Sequence, residues 1–116
     1  MSDDRENVLA FSFSKEILMV ENKAFQRIQT ELKKHHIVLF MKGTPSEPKC
    51  GFSENAARHL NDAHLEYQSV DVLTDHDLYD GVRQYTGYTH FPQMFVDGRF
   101  IGSNDNIDRY ISRKKL

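Results

Sequence analysis

The apolar positions of this chain change period along its length, and the changes divide it into elements. Phe25, Ile28 and Leu32 fall at i, i+3 and i+7 among Lys, Gln and Glu, the stripe of a surface helix, which predicts a first helix from about Asn22 to His36. Ile37–Met41 is then an unbroken apolar run of strand formers closed by Gly43-Thr-Pro45, as expected of a mid-sheet strand buried on both faces. Helical spacing returns at Ser53–Ala63, where Ala56, Ala57 and Leu60 share one side, and Leu65–Val72 reads as a second strand. A helix between two strands predicts a right-handed crossover joining parallel neighbours. Thr74-Asp-His-Asp77 has the form of a capping box and opens a third helix, with Leu78, Val82 and Tyr85 at helical spacing and an end near Gly87. Phe91–Val96 and Arg99–Ile101 are strands separated by Asp97-Gly98, a pair that favours a two-residue type I′ turn. Gly102-Ser-Asn-Asp105 supplies caps for a last helix, with Ile107, Tyr110 and Ile111 on one face and Arg113–Lys115 at its negative end. The order helix, βαβ, helix, ββ, helix predicts an α/β fold, a four-stranded mixed sheet flanked by helices on both faces.

Residues 1–20 show no helical period, only the Phe11-Ser-Phe13-Ser alternation followed by Ile17-Leu-Met-Val20, and read as a flexible tail before one domain spanning 21–116. The length of 116 residues suits a single domain. With 39% hydrophobic and 28% charged residues the chain can bury a modest core, which excludes wholesale disorder. A net charge of −2 without long blocks of one sign excludes a nucleic-acid footprint, and leaves Lys33–Lys34 and Arg113–Lys115 as solvated helix ends. No apolar run approaches the roughly 18 residues of a membrane span, so neither nucleic acid nor membrane is expected as a partner. The acidic start lacks the basic and long apolar regions of a secretory signal and has the wrong charge for an Arg-rich transit peptide.

One cysteine, Cys50, leaves no intramolecular disulfide and no single-chain zinc site of four cysteines or of two cysteines and two histidines. An intracellular reducing compartment, mitochondrial or cytoplasmic, is expected. A lone cysteine is most often a small buried apolar residue. Cys50 instead follows a polar loop containing Pro45 and Pro48 and precedes a helix, so its sulfur lies among unpaired N-terminal amides that favour the thiolate. Lys49 and Lys42 are expected to add positive potential. The thiol is therefore expected to titrate below the roughly 8.5 of free cysteine and to act as a nucleophile or metal ligand. The six histidines include no i, i+4 pair with a third ligand in register, and read as solvated. Asp75 and Asp77 read as first-turn residues that oppose the helix dipole.

Met41-Lys-Gly-Thr-Pro45, followed by Pro48-Lys-Cys-Gly-Phe-Ser53, resembles the active-site segment of monothiol glutaredoxins of the CGFS type. The likeness continues through Phe91-Pro92-Gln93, the Phe95–Gly102 hairpin and Asn104-Asp105. It implies a thioredoxin-like fold and a set of roles. Lys42 would pair with the glycine carboxylate of glutathione, Cys50 would be the catalytic thiolate and metal ligand, and Phe52 would line the groove. Phe91 would lend its backbone to the cysteinyl amide, in the manner of an added strand, and Pro92 would be cis. Gly102, Ser103, Asn104 and Asp105 would grip the γ-glutamyl end, with Asp105 taking the ammonium group. The chain departs from the family at Tyr88-Thr89-His90, where Trp-Pro-Thr is usual, and at Ser103-Asn104, which replaces Gly-Cys. Tyr79 stands where the family places a second carboxylate-binding side chain, with Arg83 and Gln84 nearby as substitutes, and His90 falls beside the groove.

The resemblance implies a carrier of a [2Fe–2S] cluster in a homodimer. Four sulfur ligands against one cysteine per chain require two Cys50 thiolates and two molecules of glutathione or a related low-molecular-weight thiol. The apo form would be a monomer, and iron–sulfur assembly and recipient proteins would be its partners. The alternative is a weak glutathione-dependent thiol–disulfide oxidoreductase, a cycle for which one cysteine suffices. Within the family, the insertion Thr44–Pro48 marks the cluster-handling branch. A thioredoxin-fold adaptor without chemistry would leave the cysteine unexplained.

Overall fold

The computed structural model describes residues 22–114; the tail expected at 1–20 and Lys115 lie outside them. The elements are α1 (Lys23–Lys34), β1 (Ile37–Met41), α2 (Gly51–Asp62), β2 (Gln68–Asp71), α3 (His76–Thr86), β3 (Gln93–Val96), β4 (Arg99–Gly102) and α4 (Asn104–Lys114). They form one four-stranded sheet in the order β2-β1-β3-β4. β1 pairs parallel with β2 and antiparallel with β3, and β3 pairs antiparallel with β4.

β1 lies inside the sheet, as its unbroken apolar run predicts, and its alternation divides the interior into two. Val38 and Phe40 enter a core with Ile28, Leu78 and Val82 of α1 and α3, while Ile37, Leu39 and Met41 enter a second core with Ala57, Leu60, Ile107 and Ile111 of α2 and α4. Period-two pleating thus puts one strand's side chains under two helical layers. α1 and α3 approach closely because Gly81 has no side chain: a Cβ there would stand 2.6 Å from Ala24 Cβ.

Local chemistry shifts several boundaries. β2 starts at Gln68 rather than Leu65, since Leu65 and Tyr67 pack against the second core before the ladder begins. Val72 leaves the strand for a short 3₁₀ turn, Val72–Thr74, because the Asp71 side chain accepts the amide of Leu73. α3 is capped by Asp75, not Thr74: Asp75 Oδ1 accepts from the amides of Asp77 and Leu78, whereas Thr74 Oγ1 is turned back to the Asp71 carbonyl. β3 begins after the cis Phe91–Pro92 bond, at the first residue past Pro92, which has no N–H for a ladder. The hairpin turn is as expected, with Asp97 and Gly98 both left-handed at φ 52° and 79°. His36 clasps that turn from the head of β1, its Nδ1 2.6 Å from Asp97 Oδ1 while its carbonyl accepts the Asp97 amide at 2.8 Å. No helix among the described residues is long and apolar enough to cross a membrane.

Candidate functional site

The end of β1, the start of α2, the segment before β3 and the start of α4 meet around a groove of about 670 Å³. Of the residues expected there, Lys42, Cys50, Phe52, Phe91, Ser103, Asn104 and Asp105 line it. Pro92 and Gly102 are buried and do not line it. Tyr88 and Asn106 complete the lining together with His90. A groove of about 710 Å³ along β2, between Lys34 and Ser69, holds no cysteine.

Cys50 is the N-cap of α2 in extended backbone (φ −154°, ψ 136°), so its sulfur sits at the head of the helix. Partial burial pushes the thiol pKa up and is the largest single influence. The amides of Ser53 and Phe52, the charge of Lys42 and the Ser53 side chain together outweigh it and bring the thiol below its ordinary value. The amides act without the geometry of a full capping hydrogen bond. Lys49, expected to help, has no part in the shift.

What holds these groups in register is Ser53. Fully buried, its Oγ accepts the amide of Lys42 at 3.0 Å and so ties the end of β1 to the first turn of α2. The next amide, Gly43, donates to Asp71 Oδ1 at 3.0 Å. Gly43 has φ +90°, and a Cβ there would stand 2.4 Å from the Glu47 carbonyl oxygen, so the turn admits only glycine. Thr44–Pro48 is a closed loop: Thr44 and Glu47 exchange backbone hydrogen bonds, and the Lys49 amide shuts its base on the Lys42 carbonyl at 2.9 Å.

The groove carries opposite charges at its two sides. Lys42 Nζ lies 5.8 Å from the Tyr79 ring centroid, and the Arg83 guanidinium lies 5.5 Å from the same ring. Tyr79 packs on Phe91 with centroids 5.0 Å apart, so it stands behind the lining rather than in it. Gln84 lines the cleft between α1 and α3 instead. Across the groove, Asp105 belongs to the first turn of α4, where N-terminal amides are free to meet an anion. Asn104 fastens this terminus to α2, donating from Nδ2 to the Phe52 carbonyl at 3.2 Å and accepting from Asn55 at 3.4 Å. Phe52 is 70% exposed at the rim. A ligand bearing a carboxylate at one end and an ammonium group at the other matches this arrangement.

Among the described residues no three His, Cys, Asp or Glu side chains gather around one point. His35, His36, His59 and His76 lie beside carboxylates; the His59 Nδ1 to Asp108 Oδ1 distance, 2.6 Å, joins α2 to α4. Cys50 is the single thiolate a chain can offer a metal.

A thioredoxin-like sheet with one activated thiol at the head of its crossover helix defines a one-cysteine member of the thioredoxin-fold class. Within it, the chain belongs to the glutaredoxin family, in the monothiol branch. The Glutaredoxin family model matches residues 37–101. The chain is 38% identical over 98 residues to the probable monothiol glutaredoxin 2 of Rickettsia typhi, covering 84% of this chain and 88% of that protein. With the protein of the same name from Rickettsia conorii it shares 37% over 87 residues, 75% and 81% of the two chains. The solution structure of reduced poplar apo GrxS14 superposes with a TM-score of 0.68 at 30% identity, covering 84% of this chain and 90% of that one. Glutaredoxins work with glutathione.

Proposed function

We propose that this protein binds glutathione in the groove and carries a [2Fe–2S] cluster as cargo between assembly and recipient proteins in a reducing intracellular compartment. The observation that carries the reading is a lone thiol, biased towards its thiolate, at the rim of a groove with Lys42 on one side and Asp105 on the other. Lys42 would hold a carboxylate of the tripeptide and Asp105 its ammonium group, while the Phe91 backbone would meet its peptide bond. Gly102, from beneath, lets the chain enter α4 with Ser103 and Asn104 at the ligand.

The donor chemistry fits a cluster shared between molecules. A thiolate is the ligand such clusters take, and one chain brings one. Two chains supply two Cys50 sulfurs, and two glutathiones held in their grooves supply the rest. The loaded form is then a homodimer and the apo form a monomer. Phe52, exposed at the rim, would be covered in the dimer.

Anaerobic incubation with iron, sulfide and glutathione tests this: the wild type becomes a coloured dimer and Cys50→Ser stays colourless and monomeric. Assembly that proceeds equally well without any small thiol would overturn the ligand count. The thiolate also favours a second reading, glutathione-dependent reduction of mixed disulfides. There Cys50 attacks the glutathione sulfur and releases the protein thiolate; a second glutathione then displaces the first as oxidised glutathione and restores Cys50. Fast turnover on a glutathionylated peptide by a protein that takes up no cluster would promote that reading.

A further inference from the structure

Three residues of the groove, Tyr88, His90 and Phe91, arrive on the segment between α3 and β3, which is neither helix nor strand. Segments of this kind move unless their backbone is held. Here the holding is done from beneath by Gln93, the first residue of β3 and, with Ser53, one of the two polar side chains among the described residues buried in the core. Gln93 is fully buried on the same side of the sheet as Phe95. Its Nε2 donates to the carbonyl of Tyr88 at 2.7 Å and to that of His90 at 3.1 Å. Its Oε1 accepts from Thr86 Oγ1 at 2.9 Å. Two carbonyls can only accept, so the amide is oriented by chemistry, and both protons of its nitrogen are used.

The intervening carbonyl, that of Thr89, accepts from Arg83 Nε at 3.1 Å. Three successive carbonyls are therefore each held by a side-chain donor, while Tyr88 and His90 line the groove. Thr86 closes the circuit, since its Oγ1 also accepts the Tyr88 amide at 3.1 Å. By contrast, nothing that activates Cys50 touches Gln93: the amides of Ser53 and Phe52, Lys42 and the Ser53 hydroxyl all belong to β1's end and α2.

We infer that Gln93 is a positioning residue, a buried amide clamp that fixes the Tyr88–Phe91 wall in the shape that receives the thiol ligand, and so sets affinity and selectivity independently of thiol activation. The inference rests on the reading that the groove binds glutathione. Apolar substitution would take the Gln93 donors away from the Tyr88 and His90 carbonyls, and the segment would relax towards water and out of register with the ligand.

The test compares the wild type with Gln93→Leu, Thr86→Val and Thr86→Ser. Reduced glutathione is titrated by calorimetry, Cys50 is alkylated with iodoacetamide, and amide hydrogen exchange is followed at Tyr88 and in α2. Gln93→Leu is expected to weaken glutathione binding by about tenfold or more and to accelerate exchange at Tyr88, with alkylation of Cys50 and exchange in α2 within about twofold of wild type. Thr86→Ser, which keeps the hydroxyl, is expected to behave as wild type, and Thr86→Val to follow Gln93→Leu. Unchanged affinity in Gln93→Leu overturns the inference. So does an equal loss in binding and in alkylation, which would mark a general structural residue. If Gln93→Leu does not fold, the Thr86 pair decides, and equal affinities for Val and Ser overturn the clamp. A wild type that binds no glutathione refutes the functional reading instead, and the clamp is then judged on exchange alone: an unaltered rate at Tyr88 in Gln93→Leu would refute it.

Discussion

Replacing Ser53 by alanine separates the two jobs of one buried hydroxyl. It accepts the Lys42 amide at 3.0 Å and also lowers the Cys50 pKa from its side of the sulfur. Ser53 is fully buried, so its loss leaves the Lys42 N–H without a partner, at a cost of about 1–3 kcal/mol. The thiol pKa is expected to rise without reaching that of a free cysteine, because the Ser53 and Phe52 amides and Lys42 remain. Linkage adds a pH signature. A thiol whose folded pKa is depressed contributes stability that is complete above the unfolded value, about 8.5, and is lost as pH falls through the folded one. The stability gap between wild type and Ser53→Ala is therefore expected to widen on going from mildly acidic to alkaline pH. Ultraviolet absorbance of the thiolate gives the pKa, and denaturant unfolding at both ends of the range gives the gap. A protein that is destabilised by the same amount at every pH, with its thiol pKa unmoved, would show that Ser53 only pins β1 to α2, and the account of thiol activation would be wrong.

Lys42→Glu is expected to raise the Cys50 pKa and to weaken glutathione binding by about 1.5–3 kcal/mol or more, since a carboxylate then faces a carboxylate; calorimetry measures the loss, and melting should stay near wild type. Lys49→Ala is expected to leave the thiol pKa where it is, a result that titration of the variant checks directly. Gly81→Ala places a methyl group 2.6 Å from Ala24 Cβ and is expected to cost about 1–3 kcal/mol by forcing α1 and α3 apart. Chemical denaturation reads that cost, and the thiol pKa of the same variant should match wild type.

Elements with a strong period or an unambiguous turn are legible in the sequence: β1 from its apolar run, the hairpin from Asp97-Gly98, α1 from Phe25, Ile28 and Leu32. Boundaries that hinge on a contest between neighbours were not. Thr74 and Asp75 both qualify as caps, and the free Asp71 carbonyl, which takes the Thr74 hydroxyl, settles it. Leu65 and Tyr67 alternate like strand residues but pack before any partner strand is reached. Within the site, Lys42, Cys50 and Phe52 come from one local segment and its family likeness. Tyr88, Asn106 and Gln93 escaped because their positions follow from tertiary contacts. One signal was present: Gln93 interrupts the apolar run Phe91–Val96 with the same parity as Phe95, and a polar residue facing a core needs partners.

The closed base of the Thr44–Pro48 loop separates two properties that usually vary together, the length of a loop and the placement of its ends. Lys42 and Lys49 are joined by a hydrogen bond beneath the loop, and Gly43 is anchored to Asp71, so the positions of Lys42 and Cys50 do not depend on what lies at the exposed tip. Closing a longer flexible tip costs only about 0.6 kcal/mol for each doubling of its length. The tip around Ser46 is thus a natural port for engineering: a reporter group or a short affinity sequence grafted there would leave the thiol's own surroundings untouched.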